Sequence, residues 1–118
     1  MRSKFRVAAV IAITLSANAA LAETITRGEA RVKQAFFACP YEKDLAKIVS
    51  LALAEHDEEA ATNYGLQQHC VMLRNGDKVY VSQISSSGIR RLGVGYSCVR
   101  TKGDPTCYWT LDTALTQN

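Results

Sequence analysis

Val71-Met72-Leu73-Arg74-Asn75-Gly76-Asp77-Lys78-Val79-Tyr80-Val81-Ser82 is the stretch on which the fold turns. Val79 and Val81 alternate with Tyr80 and Ser82, the period of two that belongs to a strand with one buried face. Val71 and Leu73 show the same alternation ahead of Asn75-Gly76, the dipeptide that most favours a two-residue hairpin turn. The pattern predicts a β-hairpin centred on Asn75-Gly76. Toward the C-terminus, Ser85-Ser86-Ser87-Gly88 marks a turn. Ile89, Leu92, Val94, Tyr96 and Val99 then define a longer strand region in which Gly93 and Gly95 predict a bend or bulge. A second turn at Thr101-Lys102-Gly103-Asp104-Pro105 leads to a strand over Thr106 to Leu111, and Asp112-Thr113-Ala114-Leu115 forms one closing helical turn.

Toward the N-terminus the period lengthens. Leu45, Ile48, Val49, Ala52 and Leu53 recur at three-and-four spacing, which predicts an amphipathic helix from Tyr41 to Ala54. Cys39-Pro40 marks its start, and Glu42 and Asp44 lie where the helix dipole favours acids. Asp57 is placed to cap a second short helix running to Gly65, which would end it in a left-handed conformation, with Ala60, Ala61 and Tyr64 inward. Glu23 to Ala38 reads as a lead-in that is partly helical. The fold class is therefore α+β, with a helical part over 23–65 packed on a small, bent antiparallel sheet over 66–118.

Residues Met1 to Ala22 carry a different signal. Arg2, Lys4 and Arg6 precede an apolar run from Val7 to Leu15, and Ala20-Leu21-Ala22 supplies small residues at a cleavage site. This is the pattern of a secretory signal peptide cut after Ala22, with Ala17-Asn18-Ala19 as an alternative site. The run is too short for a spanning helix, which needs about 20 apolar residues, so no stable membrane insertion is expected after cleavage. The first cysteine is Cys39, which leaves no lipoprotein anchor at either cut. Removing the three cations of the leader leaves eleven Lys plus Arg against eleven Asp plus Glu, a formal net charge of zero. The basic character of the precursor thus gives no reason to expect a nucleic-acid partner. Charge is nonetheless uneven, with eight acids and five bases over 23–66 and three acids and six bases over 67–118.

Cys39, Cys70, Cys98 and Cys107 read as two disulfides, because an exported domain of this length has a marginal core and staples compensate for it. A turn centred on Lys102-Gly103 places Cys98 directly opposite Cys107 in antiparallel register, and the remaining bridge joins Cys39 to Cys70. Zinc is the competing reading, with His56 and His69 as added ligands. The absence of a C-x2-C pair and the oxidising compartment argue against it, so no metal and no cofactor are expected.

Catalytic readings fare poorly. His69 adjoins Cys70, but neighbours along a strand point to opposite faces, and a nucleophile needs a free thiolate. Ser85, Ser86 and Ser87 lack the strand-to-helix elbow of a hydrolase serine. Glu55, Asp57, Glu58 and Glu59 sit at a helix junction, where capping and solvation explain them. Aromatic and arginine residues in the strand half are more informative, since such side chains bury large area at low entropy cost and arginine adds forked hydrogen bonds. Tyr80, Arg90, Arg91, Tyr96, Arg100 and Tyr108 are the candidate binding residues. Trp109 reads as core, with Tyr108 and Thr110 pointing outward together.

Gly76-Asp77-Lys78-Val79-Tyr80-Val81, a glycine turn, Gly95-Tyr96-Ser97-Cys98-Val99-Arg100, a second turn, and Tyr108-Trp109-Thr110 before Leu115 resemble bacterial SH3-type small barrels. The resemblance covers about 40 residues. It departs from the family at Tyr108, where glycine is common before the tryptophan, and in the cysteine pair across the last hairpin. It implies an SH3-like β-barrel that binds peptides, often of cell-wall origin, without catalysis. The expected function is that of a small, non-enzymatic binding protein of the bacterial envelope, periplasmic or secreted, with a peptide or envelope protein as ligand. The first rival is an inhibitor or immunity-type protein that places Ser85 to Arg91 in another protein's active site. An envelope hydrolase is the second.

Overall fold

The computed structural model describes residues 23–85 and 95–118. The leader read over 1–22 lies outside the described residues, as do Ser86, Ser87, Gly88, Gly93 and the candidate binding residues Arg90 and Arg91.

The segment read as a partly helical lead-in forms two strands instead, β1 (Gly28–Val32) and β2 (Phe36–Ala38). Glu29-Ala30-Arg31-Val32 explains why. Ala30 and Val32 are buried while Glu29 and Arg31 are exposed, which is period two and not helical spacing. The chain continues through α1 (Glu42–Val49), a π-helical turn (Ser50–Ala54), α2 (Glu58–Gln67), β3 (Val71–Leu73), β4 (Lys78–Ser85), β5 (Tyr96–Arg100), β6 (Tyr108–Leu111), a 3-10 turn (Asp112–Ala114) and β7 (Leu115–Thr116). The protein is α+β. Five strands form an antiparallel sheet in the order β6-β5-β4-β1-β7, and β2 and β3 pair separately. Cys39, just past β2, exchanges two backbone hydrogen bonds with Trp109 at 2.9 and 2.7 Å and so ties the small sheet to the β6 edge. Neither sheet closes on itself among the described residues.

The Asn75-Gly76 turn is present, but the hairpin is not. Asp77 donates its backbone N–H to Arg74, the Asp77 side chain accepts from Arg74 N–H, and Gly76 takes a φ of +95° that glycine adopts without strain. Gly76 N–H then donates to the Val32 carbonyl, and Val32 N–H donates to Asp77. The end of β1 therefore occupies the position β3 would take in a hairpin, and β3 turns away to pair with β2.

α1 buries Leu45, Ile48 and Val49 completely, as its spacing predicts. Past Val49 the helix widens, with Glu55 N–H reaching back five residues to Ser50. The wider turn rotates Leu53 out to 45% exposure, contrary to its predicted inward position. The Asp57 side chain caps α2 by accepting from Ala60 N–H at 3.0 Å. Gly65 does not end α2. It lies buried within it, where a Cβ would come within 3.1 Å of the Phe37 ring and 3.3 Å of Ile48. His69 ends the helix instead, at φ +61°, with Cys70 N–H bonded to the Gly65 carbonyl and His69 N–H to the Leu66 carbonyl, the double closure of a Schellman motif.

Two disulfides join Cys39 to Cys70 and Cys98 to Cys107, as read from the sequence. The register expected between β5 and β6 is off by two residues. Cys98 lies opposite Trp109, and Cys107, just before β6, reaches it diagonally across a Cα separation of 5.3 Å. The cores are likewise two. One, inside the bent sheet, contains Val32, Leu73, Val79, Val81, Val99 and Leu115. The other, between the helices and the β5–β6 end, contains Leu45, Ile48, Val49, Ala61, Tyr96 and Leu111.

Candidate functional site

Strand alternation builds the site. In β4, Val79 and Val81 enter the first core, so Lys78 and Tyr80 face the opposite side of the sheet. In β1, Ala30 and Val32 enter the same core, which turns Glu29 and Arg31 to that outer side. The register then sets neighbours, with Glu29 opposite Tyr80 and Arg31 opposite Lys78. On the other flank Arg100 of β5 lies opposite Tyr80, and its guanidinium carbon stands 5.0 Å from the centroid of the tyrosine ring. That contact is a cation–π interaction, and it holds the planar guanidinium over an aromatic face that is 45% exposed. Lys102 and Gly103 of the following turn form one rim, and Thr116 and Gln117 the other. Together they line an open cavity of about 640 Å³.

Four cations, Arg31, Lys78, Arg100 and Lys102, line this cavity against the single carboxylate side chain of Glu29. The helical half of the molecule does not cover it. Farther along the same face of β5 and β6, Tyr96, Trp109 and Leu111 are packed in the second core. The outer face is thus capped at one end by the helices and left open at the other.

Of the residues read as a binding face, the structure brings together Tyr80 and Arg100. Tyr96 is only 5% exposed and belongs to the second core, so it offers no surface. Tyr108 lies opposite Val99 and packs against the first core, on the other side of the sheet from Tyr80. The expectation that Tyr108 and Thr110 point outward also fails. Thr110 is fully buried and donates its hydroxyl to the Phe37 carbonyl at 2.9 Å, because the segment around β2 covers that side of β6. Glu29, Arg31, Lys78 and Lys102 were missed. The alternation in Gly28–Val32 was the available signal for the first two.

All four cysteines are in disulfides, which leaves no thiol beside His69. Ser97 is fully buried and donates to Asp112, whose carboxyl is pushed up by burial and partly restored by that hydroxyl. The Tyr64 hydroxyl donates at 2.7 Å to the buried Asp44 carboxylate and locks α2 to α1. Among the described residues no group of three His, Cys, Asp or Glu side chains is placed to hold a metal, and no helix is long and apolar enough to cross a membrane. Two disulfides are the mark of an oxidising compartment. Comparison with protein-family models, with curated proteins and with solved structures returns no match.

Proposed function

We propose that the chain is an exported, non-catalytic binding protein of the bacterial envelope, whose ligand sits on the outer face of the five-stranded sheet around Tyr80 and Arg100. The observation that carries this reading is the exposed Tyr80 ring with the Arg100 guanidinium held over it, both lining the open cavity. A tyrosine at 45% exposure in mid-strand does not serve the core, and Tyr–Arg pairs are the residue types that dominate recognition surfaces. Export is supported by the leader pattern over Met1 to Ala22 together with the two disulfides. The resemblance of residues 76–115 to SH3-type barrels adds that such a surface binds rather than reacts, with an envelope peptide or protein as the ligand.

The test is affinity capture from a bacterial envelope fraction with the oxidised, exported chain and with its Y80A/R100A variant. The reading expects an envelope component that is retained by the wild type and lost with the variant. Identical retention by both would overturn it. Retention that survives Y80A/R100A but is abolished by substitutions over Ser85 to Arg91 would favour the inhibitor-type rival.

A further inference from the structure

We infer that the end of the outer face lined by Arg31, Lys78 and Lys102 is a binding site for a phosphate group, the charged end of a phosphorylated ligand whose remainder lies over Tyr80. The inference rests on the reading above for the position of the ligand, and it deepens that reading by naming the ligand's chemistry. Arg31 and Lys78 are direct cross-strand partners, both exposed and on the same face. Like charges directly opposite in a sheet repel, so this pair weakens the sheet where it stands. Lys102, in the turn that follows β5, lines the same cavity. Arg31 and Lys78 thus face one another across the β1–β4 pair, with Lys102 on the rim. Without the leader the chain has eleven Lys plus Arg and eleven Asp plus Glu, so this concentration is local and not a consequence of overall charge.

The spacing of the Arg31–Lys78 pair selects the ligand. Adjacent strands lie about 4.8 Å apart, so these two cations start from backbones about that far apart. An extended acidic peptide presents carboxylates on one side every second residue, about 6.6 Å apart and each singly charged, which matches this pair poorly. A phosphomonoester concentrates about 1.5 to 2 negative charges on three oxygens, enough to accept from a forked arginine and two ammonium groups at once. Glu29, the one Asp or Glu side chain lining the cavity, lies opposite Tyr80 and next to Arg31 along β1, and Glu23 is held by the hydroxyl of Thr116, the partner of Arg31 on β7. Glu29 disfavours an anion at the Tyr80 end and can accept hydroxyl hydrogens there. The cross-strand cation pair places the phosphate at the Arg31–Lys78 end and leaves the tyrosine ring for a hydroxylated carrier.

The test follows backbone and arginine side-chain amide signals of the oxidised, exported chain as inorganic phosphate is added at low ionic strength, with chloride at matched ionic strength as control. A parallel arm measures co-sedimentation with phosphatidylcholine vesicles containing phosphatidic acid. Saturable shifts at Arg31, Lys78 and Lys102 with phosphate, at least tenfold weaker in R31Q/K78Q, are the expected result. Binding to the vesicles without a response to free phosphate assigns the phosphate to a lipid headgroup, and the reverse assigns it to a soluble ester. Both support the site. Absence of both responses, an unchanged response in R31Q/K78Q, or binding of a polyglutamate peptide in place of phosphate would overturn it. Near-ultraviolet circular dichroism confirms that R31Q/K78Q is folded. Y80A/R100A-sensitive capture with no phosphate response removes this inference alone, whereas a phosphate response with no such capture removes the Tyr80 reading alone.

Discussion

Removing the Cys39–Cys70 bridge should cost more stability than removing Cys98–Cys107, by an amount that the chain connectivity predicts. The bridges span 31 and 9 residues. In the loop-entropy model these closures are worth about 3.7 and about 2.6 kcal/mol at 25 °C, a difference of about 1.1 kcal/mol that comes entirely from the logarithm of loop length. Native-state costs largely cancel from the comparison. Each pair has one fully buried sulfur-bearing residue, Cys39 or Cys98, and one half-buried partner, Cys70 or Cys107, so C39A/C70A and C98A/C107A leave similar voids. Urea unfolding of the two double variants measures the difference directly. In thermal unfolding it corresponds to a gap of roughly 5 to 9 °C for a domain of this size. Equal stability, or a less stable C98A/C107A, would refute the argument that unfolded-chain entropy governs what these staples contribute.

Ile48→Ala should cost about 2–5 kcal/mol, because Ile48 is fully buried between the helices, while Leu53→Ala should change stability by less than about 0.5 kcal/mol; paired denaturant titrations report both, and comparable losses would contradict the outward rotation of the π-helical turn. Tyr64→Phe removes the only hydroxyl that donates to the buried Asp44 carboxylate among the described residues and should cost about 1.5–3 kcal/mol. That hydrogen bond, with burial and the nearby carboxylate charge, raises the Tyr64 phenol above its ordinary range. The wild type should therefore hold this stability below the usual tyrosine pKa of about 10 and lose it as pH climbs through the folded value, while the variant shows no such alkaline loss. Glu23 is the reverse case. Its carboxylate accepts from the Gln117 backbone N–H and the Thr116 hydroxyl, which lowers its pKa. The clasp between Glu23 and the Thr116–Gln117 segment should be intact above the ordinary glutamate value of about 4.3 and open as pH falls through the lower folded value. Hydrogen exchange at the Gln117 amide follows it, and Glu23→Gln should abolish the pH dependence.

The parts of the fold that were legible in the sequence are those set by local chemistry. The amphipathic spacing from Leu45 to Val49, the Asp57 cap and the turns at Asn75-Gly76 and Lys102-Gly103 are each decided by residues close together in the chain, and the Cys98–Cys107 bridge, nine residues apart across one turn, left Cys39 and Cys70 as the remaining pair even though the β5–β6 register differs by two. The misreadings have a common cause. The Asn75-Gly76 turn is made as its residues dictate, yet β1 arrives from about 45 residues upstream and takes the hydrogen bonds a hairpin partner would have made. Gly65 has the composition of a helix end but is retained inside α2 because Phe37 and Ile48 press against that position. In each case a distant segment outcompeted a sound local preference.

The same distinction explains why only part of the candidate site was legible. Tyr80 and Arg100 were found by residue type, and so were Tyr96 and Tyr108, because residue type cannot say which face of a sheet is covered. Three tyrosines at outwardly similar strand positions have three different fates here. Tyr80 is open, Tyr96 is sealed under the helices, and Tyr108 packs against the inner core. What separates them is the placement of β1 beside β4 and of the helical part over the β5–β6 end. β1 is also what adds Glu29 and Arg31 to the surface. Reading Gly28–Val32 as a helical lead-in therefore did more than misassign five residues, since it removed from view the strand that supplies two of the five charged side chains around Tyr80. A cross-strand cation pair such as Arg31–Lys78 exists only once the register is known, and it is this pair, more than the aromatic residues, on which the proposal of a phosphate ligand rests.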